Sequence, residues 1–113
     1  MSRKIIIDTD PGQDDAVAIL LALPSPEELD LLGIVAVAGN VGLAQNEINA
    51  RKVVELSGRT EIPVYAGCSR PMRRHLVTAE HVHGETGLNG PDLPDPTIPL
   101  QAQHGVDYIT ETL

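Results

Sequence analysis

Three short aliphatic runs, each closed by turn residues, alternate with two stretches of helical periodicity, and this alternation leaves few folds open. Residues 4–9 form a β-branched run stopped by Pro11-Gly12. Residues 31–38 form a second run closed by Gly39-Asn40, and residues 62–66 a third ended by Gly67. Strands buried on both faces read as continuous apolar runs rather than alternating ones, and these do. The first helix is expected from Asp14 or Asp15 to Leu23, with one of those aspartates as its N-cap and Pro24-Ser25-Pro26 as its stop. It is apolar nearly all round, which predicts burial. The second is expected over residues 43–56, with Ala44, Ile48, Val53 and Val54 on the inward stripe and Glu47, Arg51 and Lys52 off it. Ser57-Gly58 would end it. Strand–helix alternation of this kind predicts an α/β fold: an open parallel, Rossmann-like sheet with helices on both faces.

Residues 67–100 break the pattern. They hold five prolines and several glycines, together with His75, His81, His83, Glu80 and Glu85, and read as one long irregular loop of the kind that carries function. His75 and His104 give no usable signal, and His81 reads as structural or solvated. Residues 103–113 read as a helix with no Gly, Asn or Pro to stop it. A three-strand sheet leaves edges and faces to be covered. The expectation is that the chain is truncated, the N-terminal portion of a single larger domain, and associates through exposed apolar surface.

Composition narrows the class of partner. A net charge of −8 and a pI near 4.7 argue against nucleic acid, whose phosphates need clustered Lys and Arg. Arg70, Arg73 and Arg74 form the single basic knot, which reads as a solvated loop. The longest apolar run, residues 16–23, is far short of a membrane span, and the N-terminal Ile run is too brief for a signal peptide. Cys68 has no second cysteine to pair with, which fits a reducing, cytoplasmic setting. The core must be built from Ile, Leu, Val and Ala, because the aromatics are two Tyr alone.

The chemistry gathers in Asp8-Thr9-Asp10-Pro11-Gly12-Gln13-Asp14-Asp15, four carboxylates in eight residues where the first strand meets the first helix. Ligands of open parallel sheets bind at the carboxyl ends of the strands, where Asn40 and Gly67 also fall. At about 5 Å and an effective dielectric near 20, each like-charge pair costs about 3 kcal/mol. A bound cation would relieve that repulsion, and an all-oxygen donor set favours Ca²⁺ or Mg²⁺ over Zn²⁺. The plainer alternative is that Asp14 or Asp15 only caps the helix and Asp8 only tethers a loop.

Residues 5–19, IIIDTDPGQDDAVAI, resemble the N-terminal signature of the nucleoside hydrolase family, the inosine-uridine-preferring and related enzymes. Ala38-Gly39-Asn40, residues 63–67 (PVYAG) and residues 83–88 (HGETGL) are similar to further family segments in the same order. The resemblance implies hydrolysis of the N-glycosidic bond of ribonucleosides to ribose and free base, assisted by Ca²⁺, in a homodimer or homotetramer. It implies that Asp10 is the general base and a Ca²⁺ ligand, and Asp15 a second ligand. Asp14 would accept hydrogen bonds from the ribose hydroxyls. Asn40 would contact the ribose or the attacking water. Asp8 would support the loop from behind, and His83 would lie near the leaving base; the rival reading of His83 is a residue that only structures the loop. The residue types suit an oxocarbenium-like transition state, with a carboxylate to take a proton from water and an imidazole to protonate the base. Asp10 and Asp15 alone would under-coordinate a cation that takes about six to eight oxygens. The chain by itself is therefore expected to bind metal weakly and to turn over slowly or not at all. Base preference is not readable from these residues.

Two other readings compete. Asp8-Thr9-Asp10 after an apolar strand also resembles the nucleophile motif of haloacid-dehalogenase-type, Mg²⁺-dependent phosphatases, but the downstream Lys and acidic pair find no match and the Pro-Gly-x-Asp-Asp continuation favours the hydrolase. The third is a non-catalytic interaction protein.

Overall fold

A computed structural model describes residues 2–24, 26–88 and 93–113. The elements run β1 (Arg3–Thr9), α1 (Gln13–Ala22), β2 (Leu29–Ala36), α2 (Leu43–Ser57), β3 (Val64–Ala66), α3 (Glu80–His83) and α4 (Gly105–Thr112). The three strands form a parallel sheet in the order β1-β2-β3. The register of β1 on β2 slips by one residue between Ile5 and Ile6.

Neighbouring residues on each strand face opposite sides, so the sheet has two cores. Ile34, Ala36 and Val64 face α1 and α2, where Ile19, Leu23, Ala50, Val53 and Val54 cover them, with Ile5 and Ile7 alongside. Val35 and Tyr65 face the other way and meet Tyr108 of α4, with Ile6, Val37 and Ile109 packed around them. Helices thus lie on both faces of the sheet, as the alternation predicts. The rings of Tyr65 and Tyr108 stack with centroids 3.8 Å apart.

Several boundaries differ from expectation. Neither Asp14 nor Asp15 caps α1. The cap position is Gly12, which makes no side-chain bond, and both aspartates sit inside the first turn, where a carboxylate is still favoured by the helix dipole. α1 is not buried all round: Ile19 and Ala22 are buried, but Val17 is 57% and Leu21 69% exposed. Its Pro-Ser-Pro stop follows the C-cap Leu23, and Ser25 lies outside the described residues. β3 begins at Val64, because Pro63 has no N–H to donate and the Ile62 N–H is spent on a turn to Arg59 O. β2 starts earlier than its apolar run suggests, at Leu29.

The inward face of α2 is also different. Asn46, Asn49, Ala50, Val53 and Val54 are buried, whereas Ala44 is exposed and Ile48 only partly covered. Hydrophobicity misplaces this face because two asparagines lie on it with their amides bonded to backbone. Asn46 Nδ2 donates to Val37 O and Val41 O at 2.8 and 3.0 Å. Gly58, at φ 81°, ends the helix in the left-handed conformation that Gly tolerates best.

The segment expected as one irregular loop contains the helical turn α3, and it is anchored: Leu88 and Ile98 enter the core, and Gln101 N–H donates to Val64 O. Glu55 of α2 accepts from Thr97 N–H, Thr97 Oγ1 and Ile98 N–H. Residues 89–92 of this loop lie outside the described residues. The last helix starts at Gly105, because the side chain of His104 caps it by accepting from Val106 N–H at 3.1 Å.

Candidate active site

The carboxyl ends of the strands release the chain into loops that meet as the parallel topology requires. Asp10 leaves β1 and is held by Asn40 from the loop after β2. The Asn40 backbone N–H donates to Asp10 Oδ2 at 2.9 Å, and Asn40 Nδ2 donates to Asp10 O at 2.7 Å. A side chain on Gly39 would collide with the Asp10 carboxyl, so glycine lets the two loops close. The two residues read from sequence as base and ribose contact are therefore direct neighbours.

Asp15, in the first turn of α1, accepts from Thr9 Oγ1 at 2.7 Å. Partial burial pushes its carboxyl above the usual carboxylate range. The Thr9 hydroxyl opposes the shift, while the charges of Asp14 and Asp10 and a hydrogen bond with Asp10 add to it. Asp10 and Asp15 thus form an adjacent carboxylate pair. Asp14 is exposed at the start of α1. Asp8 lines a groove with Ile6, Leu32, Ile109 and Leu113, and its carboxyl is pushed up first by burial and then by the charge of Asp10.

His83 comes from α3 and reaches the same place. A Cβ on Gly12 would lie 2.7 Å from His83 Nδ1 and 2.9 Å from Asn40 Nδ2, so the imidazole and the Asn40 amide flank the Gly12 backbone. His81 is exposed. Two further residues hold the site together. Gln13 contacts both the ring and the backbone carbonyl of His83. Asn49, 1% exposed, donates to Thr86 O at 2.6 Å and to Pro11 O at 3.4 Å, which ties the segment after His83 to the carboxylate loop. Composition gave no signal for either; the Asn at an inward helical position is the trace that was available.

Among the described residues, no three His, Cys, Asp or Glu side chains gather into a ready metal cage. The Asp10–Asp15 pair fits a hard divalent cation in donor chemistry, and a cation would relieve the repulsion that raises Asp15. It falls short of such an ion's ligand count.

A family model described as inosine-uridine preferring nucleoside hydrolase matches residues 5–113. The chain belongs to this family. Among its relatives, a pyrimidine-specific ribonucleoside hydrolase of Photobacterium profundum is 48% identical over 113 residues, covering 100% of this chain and 36% of the relative. An uncharacterised protein of Schizosaccharomyces pombe is 52% identical over 110 residues, covering 97% and 35%. Among solved structures, a purine-preferring ribonucleoside hydrolase from Gardnerella vaginalis superposes with a TM-score of 0.88 at 33% identity, covering 97% of this chain and 36% of that one. A plant nucleoside hydrolase follows at a TM-score of 0.84 and 38% identity, with 97% and 35% coverage. The chain therefore spans about a third of the length of the relatives it matches. Membership of the family favours the hydrolase over the phosphatase reading. Among the described residues, no helix is long and apolar enough to cross a membrane.

Proposed function

We propose that the chain forms the N-terminal portion of a single ribonucleoside hydrolase domain and carries the water-activating half of its site. The observation that supports this most is the Asp10–Asn40 clasp beside Asp15 at the strand ends, within a family whose named relatives here cleave ribonucleosides. Asp10 takes a proton from water as the water attacks the anomeric carbon. Its carboxylate is oriented by the Asn40 N–H, so it need not reorganise on the way to the transition state. Asn40 keeps amide hydrogen-bonding capacity beyond its bond to Asp10 O, and turns it to the ribose or the water. Asp14, exposed in the first turn of α1, accepts from the ribose hydroxyls. Asp8 supports the loop through its position behind Asp10. His83 gives a proton to the departing base. Asp10 and Asp15 would hold Ca²⁺, which when bound would supply charge to orient the sugar hydroxyls and to make a water easier to deprotonate; metal dependence is general in the family.

The substrate class is a small-molecule ribonucleoside. The named relatives include both pyrimidine-specific and purine-preferring enzymes, so the choice of base stays open. A cytoplasmic homodimer or homotetramer completes the reading. The test is ribose release from inosine and uridine at high protein concentration, with Ca²⁺ or with chelator. Release is expected to be slow or absent, and any release to be chelator-sensitive and reduced about 10²–10⁴-fold in Asp10→Ala, the range of general acid–base contributions. Release that survives Asp10→Ala, or phosphomonoester cleavage in its place, would contradict the reading.

A further inference from the structure

Gln13 and His83 lie seventy residues apart and meet through two bonds. Gln13 Oε1 is 2.6 Å from His83 Nδ1, and Gln13 Nε2 donates to the His83 carbonyl oxygen at 3.4 Å. The second contact fixes the sense of the first. A carbonyl oxygen only accepts, so the amide nitrogen of Gln13 faces the backbone and its oxygen faces the ring. A carboxamide oxygen also only accepts, so Nδ1 must carry the hydrogen. The ring rests against Gly12, where a Cβ would come 2.7 Å from Nδ1 and 2.8 Å from Cε1. The bond therefore sets orientation as well as tautomer.

We propose that Gln13 is a positioning residue: it fixes the neutral His83 imidazole as the Nδ1–H tautomer, so that Nε2 is the ring atom that exchanges a proton with the leaving base. The catalytic meaning rests on the hydrolase reading. In that reaction the C–N bond breaks with its electron pair going to the base, and a proton passes from imidazolium Nε2 to the base. The ring is then left neutral with its hydrogen on Nδ1, the form whose N–H points at Gln13 Oε1. Gln13 thus stabilises the acid's product state and selects which nitrogen gives the proton.

The tautomer can be read directly from imidazole ¹⁵N shifts, recorded at alkaline pH where they no longer change with pH. The spectra would be taken for the wild type, Gln13→Met and Gln13→Glu, with His83 assigned by its loss in His83→Asn. A free imidazole prefers Nε2–H. The wild type is expected to show His83 Nδ1 in the protonated range and Nε2 in the unprotonated range. Gln13→Met, which keeps the length but has no acceptor, should exchange the two. Gln13→Glu, which restores an acceptor oxygen, should restore the wild-type pattern. His104 is an internal control, because its Nδ1 accepts from Val106 N–H and so must stay protonated at Nε2 in every variant if the fold is intact. A wild-type His83 protonated at Nε2, or an unchanged His83 pattern in Gln13→Met with His104 intact, would overturn the proposal. The readout needs neither substrate nor turnover, so it is decided separately from the hydrolase reading.

Discussion

Asp10 is the residue on which the site turns, and its position depends on a neighbour with no side chain. Asn40 grips its carboxylate and its carbonyl, and that grip requires Gly39 to stay bare. Gly39→Ala should push the Asp10 carboxyl off the Asn40 N–H. The overpacking costs about 1–3 kcal/mol of stability, and a base displaced by about 1 Å can lose about 10²-fold in rate. Paired thermal melts and ribose-release assays check both; an Ala variant with unchanged release would place the base elsewhere. Asp15 supplies a pH dependence. Its folded pKa is raised by burial, so the folded chain binds more protons than the unfolded one between the ordinary Asp value and the folded value. Stability is then full below that window and falls as pH rises through it. In the metal-free chain, Asp15→Asn keeps an acceptor for Thr9 Oγ1 and should raise the melting temperature at neutral pH, with no gain below the window. Melts across pH test this; a lower melting temperature at neutral pH would show that the ionised Asp15 is net stabilising.

At the scale of elements, α4 packs closely on the second face of the sheet because Gly33 and Gly105 leave room. A Cβ on Gly33 would stand 2.6 Å from Tyr108 Oη and 2.9 Å from Cζ. Gly33→Ala is expected to destabilise by about 1–3 kcal/mol through overpacking, seen as a lower urea midpoint at unchanged slope. An unchanged midpoint would mean that α4 is not firmly docked. The strand–helix order was legible because each strand is a continuous aliphatic run and each turn carries Gly, Pro or Asn. The Asp10, Asp15 and Asn40 cluster was legible because parallel topology brings strand ends together. What stayed hidden was long-range pairing of polar groups. Asn46 and Asn49 look solvent-facing by hydrophobicity, yet both are buried because backbone carbonyls take their amide hydrogens. Gln13 looks like the freest residue of its motif until His83 arrives from seventy residues away. The α1 N-cap was misread because Asp is a common cap, while here the cap position falls on Gly12 and both aspartates lie within the first turn of the helix.

At the scale of the whole molecule, the chain gathers loops from all three strands at one end of the sheet, while spanning about a third of its relatives' length. Exposed Val17, Leu21, Val106 and Leu113 show that apolar surface remains on both helical layers. The central claim is that the strand-end loops form a cation-assisted ribonucleoside site, and it can be tested without turnover. Amide spectra would be recorded on adding Ca²⁺ and then inosine or uridine, in the wild type and in Asp10→Ala. Ca²⁺ should shift Asp10, Asp14 and Asp15, the nucleoside should extend the shifts to Asn40 and His83, and both responses should vanish in Asp10→Ala. Shifts that avoid these residues, or that persist unchanged in Asp10→Ala, would contradict the claim.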